Sequence, residues 1–487
     1  MTQISVIDTT LRDGHQSLWA TRMTTGMMLP VAEKMDRAGF HAIDLMGAIH
    51  FDVCVRYLKE DPWQRIRLMR ERVRRTPMQA SIRSKNLLSF GVVPDDILEL
   101  WIERLVANGI GRIRCFDALA DFDNIADSLK LAKRLGVETV CGLVYTISPV
   151  HTDEHYAEKA KEIIKRANPD VIMLKDSDGL LTIDRIRTLV PAMKAVMGST
   201  ILELHSHCLT GLAPIVYLEG VKLGCQQVQT AIPPLADGAS QPSTRNVVRN
   251  LRHMGYTVDI DDGIIDEVSE HFMSIARSEN KPIGAPVEYD LFHYEHQMPG
   301  GMLTNFKSQL AAAGISHRYP EVLQECAQIR AELGWPIMVS PFAQLVGTQA
   351  VLNVINGERY RSVPDEIKKY ALGHYGKLLA PIDQNILDRI MENGSPSISA
   401  NPQPLDPAVP GLRKRYPNMS DDERLLRFMF AGGQVDDMRT AGPMKTEYSA
   451  QTPVVRLLRE LSSRRNVSSF SVRRDGMQIK VTRQPTA

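Results

Sequence analysis

Short runs of β-branched and apolar residues alternate with amphipathic stretches from residue 3 to about residue 231, and this alternation constrains the fold more than any other feature. The strand-like runs are 3–8 (QISVID), 41–45 (HAIDL), 78–83 (MQASIR), 111–117 (GRIRCFD), 138–144 (ETVCGLV), 170–175 (DVIMLK), 200–206 (TILELHS) and 226–231 (QQVQTA). Helical patterns such as 95–108, 124–135 and 154–167 fall between them. Eight strands with helices between them predict a parallel (β/α)8 TIM barrel. A doubly wound sheet would ordinarily place a Gly-rich phosphate turn after its first strand, and none is present. Several runs end in ionisable residues, namely Asp8, Arg83, Asp117, Lys175, His205 and His207. In such a barrel the C-terminal strand ends build the active site.

The remaining chain divides by composition. From about 245 to 395 the pattern is mostly helical, with a Gly-rich break at Pro299–Gly301. Pro, Ser and Asn dominate 393–411, which reads as a linker. Beyond it a short helical piece lies near 421–430, and SFSVRRDGMQIKVTR alternates around Asp475-Gly476, a hairpin signal. The expected units are a barrel over 1–290, a helical domain over 291–395, a linker over 396–411 and a C-terminal extension over 412–487.

A formal net charge of +1 gives no global pull toward nucleic acid or an acidic membrane. The arginine-dense run at 65–75 reads as a solvated helix face. Six cysteines without a CxxC pair suit a reducing compartment. No secretory leader pattern or membrane-length apolar run is visible, so a cytoplasmic location is expected.

LHSH at 204–207 places an H-x-H pair at the end of the seventh strand. Alternation turns His205 and His207 to one side and Ser206 to the other, so the two imidazoles can share a metal. Two histidines hydrogen-bonded in a polar core are the competing reading. DTTLRDGHQS puts Asp8, Arg12, Asp13 and Gln16 after the first strand, which neighbours the last strands in a closed barrel. A carboxylate there reaches the imidazoles, or else serves as a cap. Lys175 ends the sixth strand. As an ammonium it cannot ligate a metal, and by itself it reads as a salt-bridge partner of Asp176 or Asp178.

DTTLRDGHQSLWATRM, KEDPWQR, YTISPVHT, PGGMLTN and LVGTQAVLNVINGERY together resemble the carboxyltransferase domain of biotin-dependent enzymes. That family includes pyruvate carboxylase, the transcarboxylase 5S subunit and the oxaloacetate decarboxylase α subunit, and the resemblance spans roughly residues 3–365. It implies a TIM barrel followed by a helical funnel domain. It further implies a divalent metal (Zn, Mn or Co) held by Asp13, a CO2-modified Lys175, His205 and His207. Arg83 matches the arginine that grips the substrate carboxylate, Gln16 a substrate-binding glutamine and Thr304 the threonine that shuttles a proton between biotin and the enolate carbon. Arg12 and Asp52 match residues that shape the biotin side of the pocket. The implied reaction moves a carboxyl group between carboxybiotin and a small 2-oxo acid.

The departures surround the pocket: Phe90 replaces a tyrosine, Gln229 an aspartate, Ala120 an asparagine, and Ser177-Asp178 a Met-Ala pair. These bear on substrate identity, and Lys85, two residues beyond Arg83, is a candidate extra cation for a larger or dianionic oxo acid. A surface lysine is the plainer reading. Neither a biotin-carrier module nor an ATP-grasp region is visible. Biotin is therefore expected on a separate carrier protein and a biotin carboxylase as a further subunit, while the resemblance implies a homodimer through the barrels. The terminal hairpin is a candidate docking element. Two other readings compete: a metal-dependent aldol-type lyase or acyl-CoA condensing enzyme, and a non-catalytic scaffold subunit.

Overall fold

The structure, a computed structural model, describes residues 2–88, 91–299, 303, 306, 310–311, 314–399, 404–448, 457–458, 460–462, 464, 469–474 and 477–482. Eight parallel strands close into a barrel in chain order. They are β1 (Ser5–Asp8), β2 (Ala42–Met46), β3 (Met78–Arg83), β4 (Arg112–Phe116), β5 (Glu138–Val144), β6 (Val171–Asp176), β7 (Ile201–Ser206) and β8 (Gln227–Thr230). Closure comes from pairing β1 with β8, Ser5 opposite Gln227 and Asp8 opposite Thr230. The TIM-barrel expectation holds, because each strand feeds a helix that packs back over the sheet.

Closure also decides what fills the interior. Arg112 and Arg114 on β4 are fully buried with Gln79, Glu203, Gln227 and Gln229. Arg112 donates to Gln79 (2.5 Å), Glu203 (2.6 Å) and Gln227 (3.0 Å). Buried cations persist when their donors are matched by acceptors, and this ring of partners supplies them.

The arginine-dense run is less solvated than its charge suggests. Arg65 is fully buried and bonds Glu60 (2.7 Å), the hydroxyl of Thr25 (2.9 Å) and the carbonyl of Met23 (3.2 Å). A buried acceptor cluster, invisible in the local pattern, draws it inward.

Helices Tyr319–Glu332, Phe342–Asn356, Asp365–Ala371 and Gln384–Asn393 form the helical region after the barrel. Its hydrophobic core takes in Phe116, Ala118, Leu119 and Val144, so it sits on the C-terminal ends of β4 and β5. Two polar joints fix it there. Buried Arg330 donates to the Thr146 hydroxyl and the Ile147 carbonyl, both at 2.8 Å. Asn124 donates to the Tyr375 carbonyl (3.0 Å), and Lys377 N–H donates to Asp121 (2.9 Å). Gly376, at φ +127°, lies so close to Asp121 and Asn124 that a Cβ would meet them at 2.8 and 2.9 Å.

The chain then returns to the outer face of the barrel. Asp422 accepts from Arg67 (3.0 Å) and Arg104 (2.7 Å), and Arg439 reaches Asp61 (2.9 Å). Strands β9 (Ser469–Arg474) and β10 (Met477–Thr482) pair antiparallel with Arg474 opposite Met477. The hairpin expectation is met in its strands, and its turn, Asp475-Gly476, lies outside the described residues.

Candidate metal centre

The first βα turn begins beneath Asp8, whose carboxylate accepts from the backbone and hydroxyl of Thr10 (3.1 and 2.5 Å). Burial holds Asp8 up at about 7, and its oxygens serve the turn. Thr10–Gly14 then makes one wide helical turn that carries Arg12 and Asp13 inward. His50, from the segment after β2, is 3.0 Å from the Arg12 carbonyl and steadies that turn. This buried histidine was not among the sequence candidates.

Asp13, His205 and His207 meet at the rim. Oδ2 of Asp13 lies 3.4 Å from Nε2 of His205 and 3.5 Å from Nε2 of His207. Among the described residues these three form the group of ligand-bearing side chains close enough to hold one cation, with their ligand atoms all within 4.8 Å. Ser206 turns away, its hydroxyl donating to Asp176 at 2.7 Å, as strand alternation requires.

The donor chemistry fits a metal. Nε2 of His205 is buried with no hydrogen-bond partner among the described residues. Nδ1 of His207 lies 2.7 Å from the Ala239 carbonyl, which only accepts, so that nitrogen carries the proton and Nε2 keeps its lone pair. Burial tends to raise Asp13, but Arg12, His207 and His205 outweigh it and hold the carboxylate well below its usual range. Burial, with Lys175 nearby, holds His205 well below the ordinary histidine value and hence neutral. One carboxylate and two imidazoles are a mixed N/O set for a divalent cation.

Lys175 lies opposite His205 in the β6–β7 register. Its ammonium contacts the Ser177 hydroxyl and sits 5.7 Å above the Phe116 ring. Burial lowers its pKa to about 8, with Arg114 and Arg12 adding to the effect and Asp13 opposing it. Arg83 ends β3 opposite Phe116, and burial brings its guanidinium down to about 10 despite Tyr375 nearby.

The other candidates spread around this rim. Arg12 bridges Asp44 (2.8 Å) and Asp13 (2.9 Å), and its Nη1 reaches Oε1 of Gln16 at 3.4 Å. Asp52 lies in the helix Ala48–Val53 and pairs with Arg56 at 2.7 Å. Thr304 and Phe90 lie outside the described residues. The Lys85 ammonium pairs with Asp95 at 2.8 Å, at the start of the helix Asp95–Ala107. The 3-10 turn Ser84–Asn86 ends the strand alternation on which that expectation depended.

Asp178 is fully buried, and neither carboxylate oxygen has a hydrogen-bond partner among the described residues. Burial raises it well above the usual carboxylate value. A separate cavity of about 560 Å³, lined by Tyr145, His151, Arg185, Leu180 and Tyr294, opens beyond the β5 and β6 ends. Among the described residues no helix is long and apolar enough to cross a membrane.

The chain is similar to known proteins. Residues 294–438 match a conserved carboxylase domain, and residues 116–271 match an HMGL-like family. The chain is 42% identical over 406 residues to a pyruvate carboxylase subunit of Methanocaldococcus jannaschii, covering 83% of this chain and 71% of that one. It is 34% identical over 447 residues to the 2-oxoglutarate carboxylase large subunit of Hydrogenobacter thermophilus, covering 90% and 68%. The carboxyl transferase domain of Rhizobium etli pyruvate carboxylase, solved with pyruvate, superposes with a TM-score of 0.83 at 25% identity, covering 92% of this chain and 78% of that one.

Proposed function

Because the chain belongs to the carboxyltransferase family of biotin-dependent carboxylases, we propose that it passes a carboxyl group between biotin on a separate carrier protein and a small 2-oxo acid, pyruvate or a relative of it. The convergence of Asp13, His205 and His207 at the C-terminal rim carries this reading. Membership in the family favours carboxyl transfer over the lyase and scaffold alternatives. A biotin carboxylase, which recharges biotin, is the expected partner, in keeping with the carboxylase subunits this chain resembles.

Asp13, His205 and His207 would hold the cation, with Lys175 as fourth ligand once its neutral amine has added CO2 and released a proton. A divalent cation bound there supplies Lewis acidity at the 2-oxo oxygen. Arg83 binds the substrate carboxylate through both oxygens and so orients the oxo acid. Gln16, beside Arg12, adds a hydrogen bond to the same substrate. The Thr304 hydroxyl takes a proton from C3 of the oxo acid and delivers its own to the ring nitrogen of biotin as CO2 departs, so no strong base is needed. The enolate carbon then attacks CO2, forming the C–C bond. Arg12 and Asp52 bound the biotin side, and the helical region over β4 and β5 excludes water.

Incubating the chain with a carboxybiotinyl carrier and labelled pyruvate, 2-oxobutyrate or 2-oxoglutarate tests this. Label exchange that needs a divalent metal supports it. Inert 2-oxo acids with an active acyl-CoA would overturn it.

A further inference from the structure

We propose that Gln229 is a positioning residue that sets the tautomer of His205, and that the charged interior of the barrel decides which way its amide faces. The inference rests on Asp13, His205 and His207 being the cation site.

One layer below the rim, Glu203 on β7 accepts from Arg112 at 2.6 Å through Oε2. Its other oxygen, Oε1, lies 2.5 Å from the amide nitrogen of Gln229. Beside the amide stands Arg114, which has donors only. Its Nη1 points at Oε1 of Gln229 (3.3 Å), while its Nη2 is held by Asp44 (3.1 Å) and Ser81 (2.5 Å). Reversing the amide would set its NH2 against a guanidinium and its carbonyl against a carboxylate. Both contacts become repulsive, and burial of all three side chains strengthens that repulsion. The amide therefore has one orientation, with its oxygen upward.

Nδ1 of His205 lies 2.7 Å from that same oxygen. An oxygen already oriented as acceptor demands a donor, so Nδ1 carries the proton. A neutral imidazole has one proton, and Nε2 is left with its lone pair facing Asp13 at 3.4 Å. His207 reaches the same state through the Ala239 carbonyl, a backbone group that cannot turn round. His207 thus has a backbone acceptor to hold its proton, with the Gln241 amide 2.9 Å from its Nε2, whereas the partner of Nδ1 in His205 is a side chain.

The test is ¹⁵N NMR of the ring nitrogens in the metal-free, full-length protein, joined to titration with Zn(II). In the native chain His205 is expected to show a protonated Nδ1 and a bare Nε2. In Gln229→Leu the Nε2–H form should appear for His205, with His207 unchanged, and Zn(II) affinity should fall roughly 10- to 100-fold. Should Gln229→Leu not fold, Glu203→Gln keeps its one oxygen on Arg112 and turns its NH2 toward Gln229, which draws that amide to reverse, and is expected to populate the same Nε2–H form. A protonated Nε2 in the native chain overturns the proposal. So does either folded variant that keeps the native tautomer, or a Gln229→Leu chain that keeps native affinity. A native chain that binds no divalent cation would instead refute the cation site while leaving the tautomer readable.

Discussion

Asp44 on β2 accepts from Nε of Arg12 at 2.8 Å and from Nη2 of Arg114 at 3.1 Å, so one buried carboxylate ties the rim to the barrel interior. Arg12 in turn donates to Asp13 at 2.9 Å, and Arg114 reaches Gln229 beneath His205. The candidate ligands from β1 and β7 are thus held by one continuous set of hydrogen bonds.

Removing one imidazole should cost the metal without costing the fold. His207 bonds the Ala239 carbonyl and the Gln241 amide but contributes little to the apolar core. His207→Ala is expected to purify with less than a tenth of native metal content and an unaltered circular dichroism spectrum. Elemental analysis beside the spectrum checks it.

Arg83→Lys keeps the charge but loses the planar fork. Charge-assisted hydrogen bonds are worth about 1.5–3 kcal/mol, so losing one should lower kcat/KM by roughly 10- to 100-fold. Steady-state kinetics on the preferred oxo acid reads this, with the larger part expected in KM.

Lys85→Ala should leave substrate choice alone, because Lys85 is paired with Asp95. The ratio of kcat/KM for pyruvate to that for 2-oxoglutarate is expected to stay within about twofold, the scale of a surface ion pair. A larger shift would show that the lysine reaches the substrate.

Arg330→Met would strip the Pro336 carbonyl of its donor and remove one of two partners from Thr146 and Ile147, which Gln297 also bonds. Buried groups stripped of partners cost about 1–3 kcal/mol each, so a loss of a few kcal/mol in urea unfolding is expected.

Asp36 supplies a pH test of stability. Burial tends to raise its pKa, but N–H groups of Thr76, Arg74 and Arg75 win and lower it. A carboxylate lowered in the folded state stabilises above its unfolded pKa, and that contribution disappears as pH falls through the lower folded value. Asp36→Asn should therefore be less stable than the native chain at pH 7, and the gap should shrink on acidification toward about pH 2.

Much of this fold is legible in the sequence because a parallel barrel needs apolar strands at regular intervals. β3 and β5 coincide with the runs at 78–83 and 138–144. The first run reaches back to residue 3, whereas β1 starts at Ser5, because Gln3 pairs with Thr257 instead. The H-x-H spacing likewise fixes which way His205 and His207 face. Closure is what local patterns cannot convey. Arg112, Arg114 and Glu203 look like solvent-facing polar residues until the eighth strand meets the first and turns them inside. Nor does spacing reveal that Asp95 captures Lys85, or that His50 supports the Arg12 carbonyl, since both depend on how distant turns pack.

The most direct measurement is a crystal structure of the chain grown with bicarbonate and a divalent metal, with diffraction data taken at the metal's absorption edge. One anomalous peak bounded by Asp13, His205 and His207 is expected, with planar density extending from Nζ of Lys175 to the same ion. Density ending at an amine that points to Ser177, with no peak between the imidazoles, would contradict it.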